Sequence, residues 1–397
     1  MKQHPLSSAL GGLLFISLLF FLNFTSRVIF SPLLPVIESE MGIDHAQSGS
    51  FFLFISAGYF ISILFSGFVS ARINHKRTIV LSCVALGSSL FVMSTCLTLP
   101  AVQGGLFLLG LGAGLYFPSA LATISSLVPP AYLSRGMAIH ELAPNIGFVA
   151  APLFCDLFLM YLSWRLGLSL LGGLIVLLGI IYWFSPLGST ARGTAPDLSA
   201  SGMFFRMPLF WAMVVLFSLA ICSTLGIYAM APLFLVNDHG MDPGRANTLL
   251  SISRIVAIVM PLAGGWFGDR FGKQLVMAVV LLATGLLTIS MALAGNGFWL
   301  IFLVVAQPLF AVCFFPAGFA VLANLGNPGY ASVAVSLCLP ISFLIGGGLM
   351  PTLIGMIGDL YSISAGFVLM GGLMAAGGAV SLLVTLIMNG KNDTVAQ

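Results

Sequence analysis

Charge is what this chain has least of. Only 14 Lys or Arg and 11 Asp or Glu occur in 397 residues, 6% in all, where an ordinary soluble domain carries about 25%. So few ionised groups cannot cover a water-facing surface, which excludes a soluble enzyme or binding module and implies lipid as the solvent. The net charge of +3 comes without a basic run, so nucleic-acid binding is excluded as well. Histidine is scarce and scattered: His4, His45, His75, His140 and His239 form no cluster for a metal or an acid–base constellation, and neither enzymatic activity nor a cofactor is expected. The six cysteines (Cys83, Cys96, Cys155, Cys222, Cys313, Cys338) lack the paired spacing of a metal site or disulfide framework and read as small core residues. No Gly-x-x-x-x-Gly-Lys-[Ser/Thr] loop is present to hold a nucleotide, so no ATP-driven work is expected. No small-residue cleavage site ends the apolar run at 10–22, which Lys2 precedes and which continues through Arg27 to Pro35. It reads as a first span rather than a secretory signal, and it buries the Asn23-Phe24-Thr25 sequon.

What the chain does have is apolar length. Hydrophobic residues make up 59%, mean hydropathy is +1.12, and twelve runs are long enough to cross about 30 Å of hydrocarbon. They fall near 10–37, 47–71, 78–97, 101–128, 136–160 and 166–185, then near 208–236, 246–268, 275–294, 298–323, 331–357 and 362–388. The expected architecture is an all-α integral membrane protein of twelve transmembrane helices in two pseudo-symmetric six-helix halves. The halves are residues 1–185 and 208–388, joined by a Ser, Gly and Pro-rich polar linker at 186–207 and followed by a tail at 389–397. Positive loops stay in the cytoplasm. With the N-terminus inside, Lys2, Arg72, Lys76, Arg77, Arg135, Arg192, Arg206, Arg270, Lys273 and Lys391 are all cytoplasmic, against Arg165 and Arg245 outside. Both termini and the linker are therefore expected in the cytoplasm and the protein in the inner (plasma) membrane.

The two halves also repeat. Gly67-Phe-Val-Ser-Ala-Arg72-Ile-Asn-His-Lys76 and Gly265-Trp-Phe-Gly-Asp269-Arg270-Phe-Gly272-Lys273 lie 198 residues apart, and the same offset maps Gly42 onto Gly240 and Phe117-Pro118 onto Phe315-Pro316. Duplicated membrane proteins are usually transporters. Twelve spans in two halves, a central linker and a G-x-x-x-D-R-x-G-[RK] loop after the second and eighth spans resemble the major facilitator superfamily over the whole chain. The first copy is eroded, with Ala71 in place of the Asp, Asn74 in place of the second Gly and His75 in place of a basic residue. The resemblance implies a cytoplasmic latch resting chiefly on Asp269 and Arg270, with Gly67, Arg72, Gly265, Gly272 and Lys273 as the other motif residues. In span four, Gly110, Gly112 and Gly114 match a family run whose preceding Arg is Leu106 here. Span one, from Asn23 through Arg27 to Pro35 and Glu38, is similar to anion:cation symporters for organic acids. That similarity implies a carboxylate-binding role for Arg27, although the acidic residue often beside it is Ser26.

Two arginines, Arg27 in span one and Arg254 in span eight, fall near span centres, where each costs about 2.5 to 3.5 kcal/mol unless it faces a protein interior or an aqueous cavity. A guanidinium pairs bidentately with carboxylate or phosphate, so both are candidate anion ligands; the alternative is a structural partnership with an acid or with helix carbonyls. Asn23, Tyr59, Tyr116, Tyr228, Asn145 and Gln307 sit at depths where they are expected to orient a ligand. Glu141 in span five is the candidate proton carrier, since a low-dielectric site disfavours its ionised form, and His140 beside it titrates near neutrality. The alternative is an ion pair holding spans together. Adjacent helical residues point about 100° apart, so one of the two faces away from any cavity that the other faces.

The expected function is secondary active transport of a small organic anion by alternating access, as a proton-coupled symport, with sodium the other possible coupling ion. The partners are the anion, the proton and the lipid bilayer, and a monomer suffices. The competing reading is a drug or metabolite exporter, a proton antiporter whose 33 Phe and 18 Met form an adaptable apolar cavity.

Overall fold

A backbone that crosses hydrocarbon must satisfy its own hydrogen bonds, and the helix does this within one segment. The computed structural model describes residues 6–193, 198–325 and 331–395, and among them there are helices and no strands. Lys2, His4 and Asp197 lie outside the described residues. In chain order the helices are α1 (Leu6–Val28), α2 (Phe30–Met41), α3 (His45–Ile73), α4 (His75–Thr95), α5 (Leu99–Leu127), α6 (Leu133–Tyr161), α7 (Trp164–Phe184), α8 (Leu198–Phe205) and α9 (Pro208–Ile221). They continue as α10 (Ile227–Leu233), α11 (Pro243–Ala257), α12 (Met260–Phe271), α13 (Lys273–Leu293), α14 (Phe298–Ala311), α15 (Phe314–Leu322), α16 (Ala331–Ser342), α17 (Met350–Leu360) and α18 (Ile363–Val395). Eleven helical stretches are long and apolar enough to span a membrane, and the bent pair α11 and α12 makes a twelfth.

Several expected spans are interrupted, and proline explains the sharpest cases. Pro32 removes the donor that would serve the Val28 carbonyl four residues earlier, and span one divides at Ile29 into α1 and α2. Pro261 does the same to Ala257, and span eight, expected as one helix over 246–268, divides at Ile258–Val259 with a 41° bend. Span seven holds a π-helical turn at Cys222–Gly226. There the Ser223 and Thr224 hydroxyls donate to the Ala220 carbonyl at 2.7 and 3.2 Å, competing with the regular ladder. Further π-helical stretches are Phe234–Asp238, at the end of span seven, and Phe343–Leu349 in span eleven, and the last touches the Cys222–Gly226 turn where a Cβ on Gly226 would meet the Gly346 carbonyl at 2.8 Å.

The chain forms two compact units, residues 1–43 with 51–196, and residues 44–50 with 197–397. In the first, α1 packs on α6, and α4 packs on both α5 and α7. In the second, α13 packs on α18, α9 on α16 and α11 on α14. The short segment Asp44–Ser50 belongs to the second unit, where the N–H groups of His45 and Ala46 each donate to the Asp359 carboxylate at 2.8 Å.

The repeat carries down to the backbone. Gly42 and Gly240 have φ of +63° and +62°. Two residues beyond each, an aspartate caps the next helix: Asp44 accepts from the Gln47 N–H at 2.7 Å and Asp242 from the Arg245 N–H at 3.1 Å. The linker is more ordered than its composition implies. The His75 and Lys76 N–H groups donate to the Ala191 and Ser189 carbonyls, and Gly193 N–H donates to Ser70 O, while Leu198–Phe205 is helical. The last span runs as helix to Val395, through most of the segment expected as a tail. Five cysteines are buried, but Cys96 caps the end of α4 and is half-buried, which corrects its reading as a core residue.

Candidate functional site

In the first unit, Arg27 occupies the last turn of α1, just before the proline-driven break. Its guanidinium carbon lies 4.5 Å from the centre of the Tyr59 ring on α3 and 5.2 Å from that of Phe24. Each such contact contributes roughly 0.5 to 2 kcal/mol. Its Nε is buried without a hydrogen-bond partner. Ser26 turns its hydroxyl back to the Asn23 carbonyl at 2.8 Å. The Tyr59 hydroxyl is a hydrogen-bond partner of Arg27 and lies within electrostatic reach of Glu141.

Glu141 is eight residues into α6, roughly 12 Å along its axis. Its side chain is 52% exposed while that of His140 is fully buried, and Glu141 Oε1 lies 3.4 Å from His140 Nδ1. The imidazole stacks on Phe20 of α1, with centres 4.3 Å apart and planes 5° off parallel. Asn145 sits one turn on and donates to the Glu141 backbone carbonyl at 3.0 Å.

In the second unit, Arg254 is 5% exposed near the end of α11. Its Nη2 donates to the Thr224 carbonyl at 2.8 Å, in the π-helical turn of span seven, and its Cζ lies 4.8 Å from the centre of the Tyr228 ring. A π turn leaves carbonyls off the regular ladder, so the guanidinium has an acceptor that a plain helix would not offer. Asn247 and Ser251, both buried, share the inward face of α11 with Arg254. The spacing Asn247-x-x-x-Ser251-x-x-Arg254 is a helical polar stripe that sequence reasoning could have found and did not.

The structure sets three of the expected ligand-orienting residues inside the packing instead. Asn23 is 2% exposed and donates to the Ala113 carbonyl at 3.3 Å. Tyr116 is 1% exposed and donates to the Ile16 carbonyl at 2.6 Å. Gln307 is 2% exposed and donates to Ser223 O at 2.9 Å and Thr288 Oγ1 at 3.3 Å. A buried amide or hydroxyl must find such partners, and these contacts account for the burial of all three. Tyr228 is also buried, as the ring platform under Arg254.

Of the loop-motif residues, Asp269, Gly272 and Lys273 line a cleft of about 710 Å³ with Asn324 and Thr385. Arg270 is exposed, its guanidinium 5.5 Å from the Trp266 ring centre. In the first copy Gly67 is half-buried and Arg72 exposed. None of the buried polar residues around Arg254 lines this cleft. Among the described residues no group of three or more His, Cys, Asp or Glu is placed to hold a metal ion.

The sequence matches the profile of the Major Facilitator Superfamily over residues 16–337 and 226–395. It is 21% identical over 261 residues to the multidrug resistance protein MdtL of Shewanella oneidensis, covering 64% of each chain and so less than two thirds of that protein's length. It is 30% identical over 322 residues to monocarboxylate transporter 13 of Rattus norvegicus, covering 76% of this chain and 70% of that one. The crystal structure of a bacterial homologue of the human lysosomal transporter Spinster shares its fold, with a TM-score of 0.76 over 95% of both chains at 18% identity. A profile match across nearly the whole length, on two repeated helical units, places this chain in the major facilitator superfamily of membrane transporters.

Proposed function

We propose that this transporter moves a small, carboxylate-type organic anion across the inner (plasma) membrane by alternating access, as a proton-coupled symporter. The observation that carries the reading is Arg27: a guanidinium inside a span, set against two ring faces, with a buried Nε that has no hydrogen-bond partner. Leaving a buried charge under-bonded is costly, and a planar carboxylate offers the paired acceptors that fit the guanidinium fork. Arg254 supports the same reading as a second guanidinium buried within a span, 5% exposed, beside the Thr224 carbonyl and the Tyr228 ring. The relative whose name specifies monocarboxylates agrees in chemical class.

The proton is the proposed co-substrate, with Glu141 and His140 as its carriers. An exposed carboxylate within a span is costly against lipid and stable against water. Sodium is the alternative coupling ion. The Lys and Arg distribution supports cytoplasmic termini, and the functional unit is proposed to be the monomer.

A second reading, a proton-driven drug exporter, is favoured by the similarity to MdtL; buried arginines disfavour cationic drugs. Purified protein in proteoliposomes, given labelled carboxylates under an imposed pH gradient, separates the two. An inward proton gradient accelerates carboxylate uptake, and Arg27→Ala lowers it about 10- to 100-fold, the loss of one charge-assisted pair. Gradient-driven efflux of a cationic dye, with no carboxylate uptake, selects the exporter.

A further inference from the structure

The hydrogen-bond directions around His140 fix more than the position of a titratable group. The Tyr116 hydroxyl lies 2.6 Å from the Ile16 carbonyl and 3.3 Å from His140 Nε2. A carbonyl oxygen only accepts, so the single phenolic proton is spent on Ile16. The phenolic oxygen then has lone pairs alone to offer Nε2, and Nε2 must carry a hydrogen. In neutral imidazole the other nitrogen is bare. That nitrogen, Nδ1, is buried, has no hydrogen-bond partner and lies 3.4 Å from Glu141 Oε1. Bare Nδ1 and ionised Glu141 would set two lone pairs against each other at the edge of the packing.

We propose that His140 and Glu141 bind one proton as a single unit, and that Tyr116 is the positioning residue that turns Nδ1 toward the carboxylate. The proton adds between Nδ1 and Oε1 with nothing released, and the pair passes from a charge of −1 to zero. His140 is the buried store and Glu141, exposed on the same helix, is the port through which the proton arrives. Phe20, stacked on the imidazole, holds the ring plane.

Tyr59 of α3 lies within electrostatic reach of Glu141, and the ionisable groups on elements packed against α6 have the following neighbours and places. On α1, Arg27 lies seven residues beyond Phe20, against Tyr59. On α2, Glu40 pairs with Arg165 of α7 at 3.0 Å, and Glu38 lies farther along that helix than Ile37 toward the same end. Tyr182 of α7 stacks edge-on with Phe15, and Tyr132, ahead of α6, lies under Arg135. Tyr116 of α5 is the one that meets His140.

Its role in transport rests on the proton-coupled reading above; its chemistry does not, and two measurements keep the failures apart. The first is nitrogen-15 NMR of histidine-labelled protein, the His140 signals assigned by their loss in His140→Gln. The expected neutral form carries hydrogen on Nε2. Tyr116→Phe, which keeps the ring and loses the acceptor, gives a tautomer mixture, and in Glu141→Gln His140 no longer gains the proton that it takes up in wild type. A wild-type neutral form protonated on Nδ1, or charging indifferent to Glu141→Gln, overturns the inference. The second is proton flux into proteoliposomes holding a pH-sensitive dye, driven by lactate and a panel of small carboxylates. If no carboxylate moves protons while the NMR result holds, the symport reading fails and the proton-binding pair stands. If flux is present and unchanged in both Glu141→Gln and Tyr116→Phe, the pair is not the carrier and the inference is overturned.

Discussion

Asn74 and Gly272 stand 198 positions apart and bend the backbone in the same unusual way, with φ of +73° and +96°, each opening a span-length helix. Asn74 is the one non-glycine residue among those described with positive φ. Where the second copy of the loop uses glycine to reach that conformation, the first uses a residue that tolerates it and whose Oδ1 also accepts from the Arg77 N–H at 2.9 Å. Asn74→Ala loses the cap and strains the backbone, a cost of about 1 to 3 kcal/mol. Asn74→Gly loses the cap and relieves the strain. Thermal unfolding in detergent should therefore rank Asn74→Ala clearly below Asn74→Gly; the reverse order contradicts the capping account.

Close backbone approach sets the α3–α5 contact. A Cβ on Gly58 would collide with the Phe107 carbonyl, and one on Gly110 with that of Ile55. Gly58→Ala and Gly110→Ala each lower the unfolding temperature, at about 1 to 3 kcal/mol for overpacking. Gly104→Ala, where a Cβ meets nothing within 4 Å, leaves it unchanged or raises it. Equal effects at all three positions would sink the packing assignment.

Gln307 tests whether a polar group in a span serves structure or ligand. Its amide is spent on Ser223 and Thr288, so Gln307→Leu leaves the Ser223 carbonyl short of a donor and destabilises by about 1 to 3 kcal/mol. Ligand-induced stabilisation, measured as a shift in the same assay, stays intact. Loss of the ligand shift with normal stability would return Gln307 to the binding residues.

Thiol reactivity reads the burial pattern directly. Cys96 is half-buried at a helix end and the other five cysteines are buried. A maleimide on folded protein labels Cys96 first, and Cys96→Ser removes most of the fast labelling. Fast labelling that survives the substitution contradicts the burial of Cys83, Cys155, Cys222, Cys313 or Cys338.

The twelve spans and their repeat were readable because lipid imposes length and apolarity with few exceptions. The arginines were readable for the same reason, since a charge in an apolar run stands out. The interruptions were legible only in part. Pro32 and Pro261 announce the breaks at Ile29 and Ile258–Val259, but the π-helical turns at Cys222–Gly226 and Phe343–Leu349 carry no comparable mark, and the first of these supplies the carbonyl that holds Arg254. The commitments of Asn23, Tyr116 and Gln307 were hidden for another reason. A polar side chain in a span is compatible with a ligand or with a neighbour's backbone, and only the approach of α5 to α1, or of α14 to span seven, decides between them. The His140–Glu141 contact is local in sequence, yet the direction of its proton depends on Tyr116, 24 residues away.

Anion binding through Arg27 and Arg254 is the central claim, and thermal shift with purified protein tests it most directly. A panel of small carboxylates is compared in wild type, Arg27→Ala and Arg254→Ala. A ligand at a hundredfold excess over its dissociation constant stabilises by roughly 2.7 kcal/mol. The account predicts that at least one carboxylate stabilises the wild type and that Arg27→Ala abolishes the shift. Stabilisation by cations or neutral apolar compounds alone, the same in all three proteins, would contradict it.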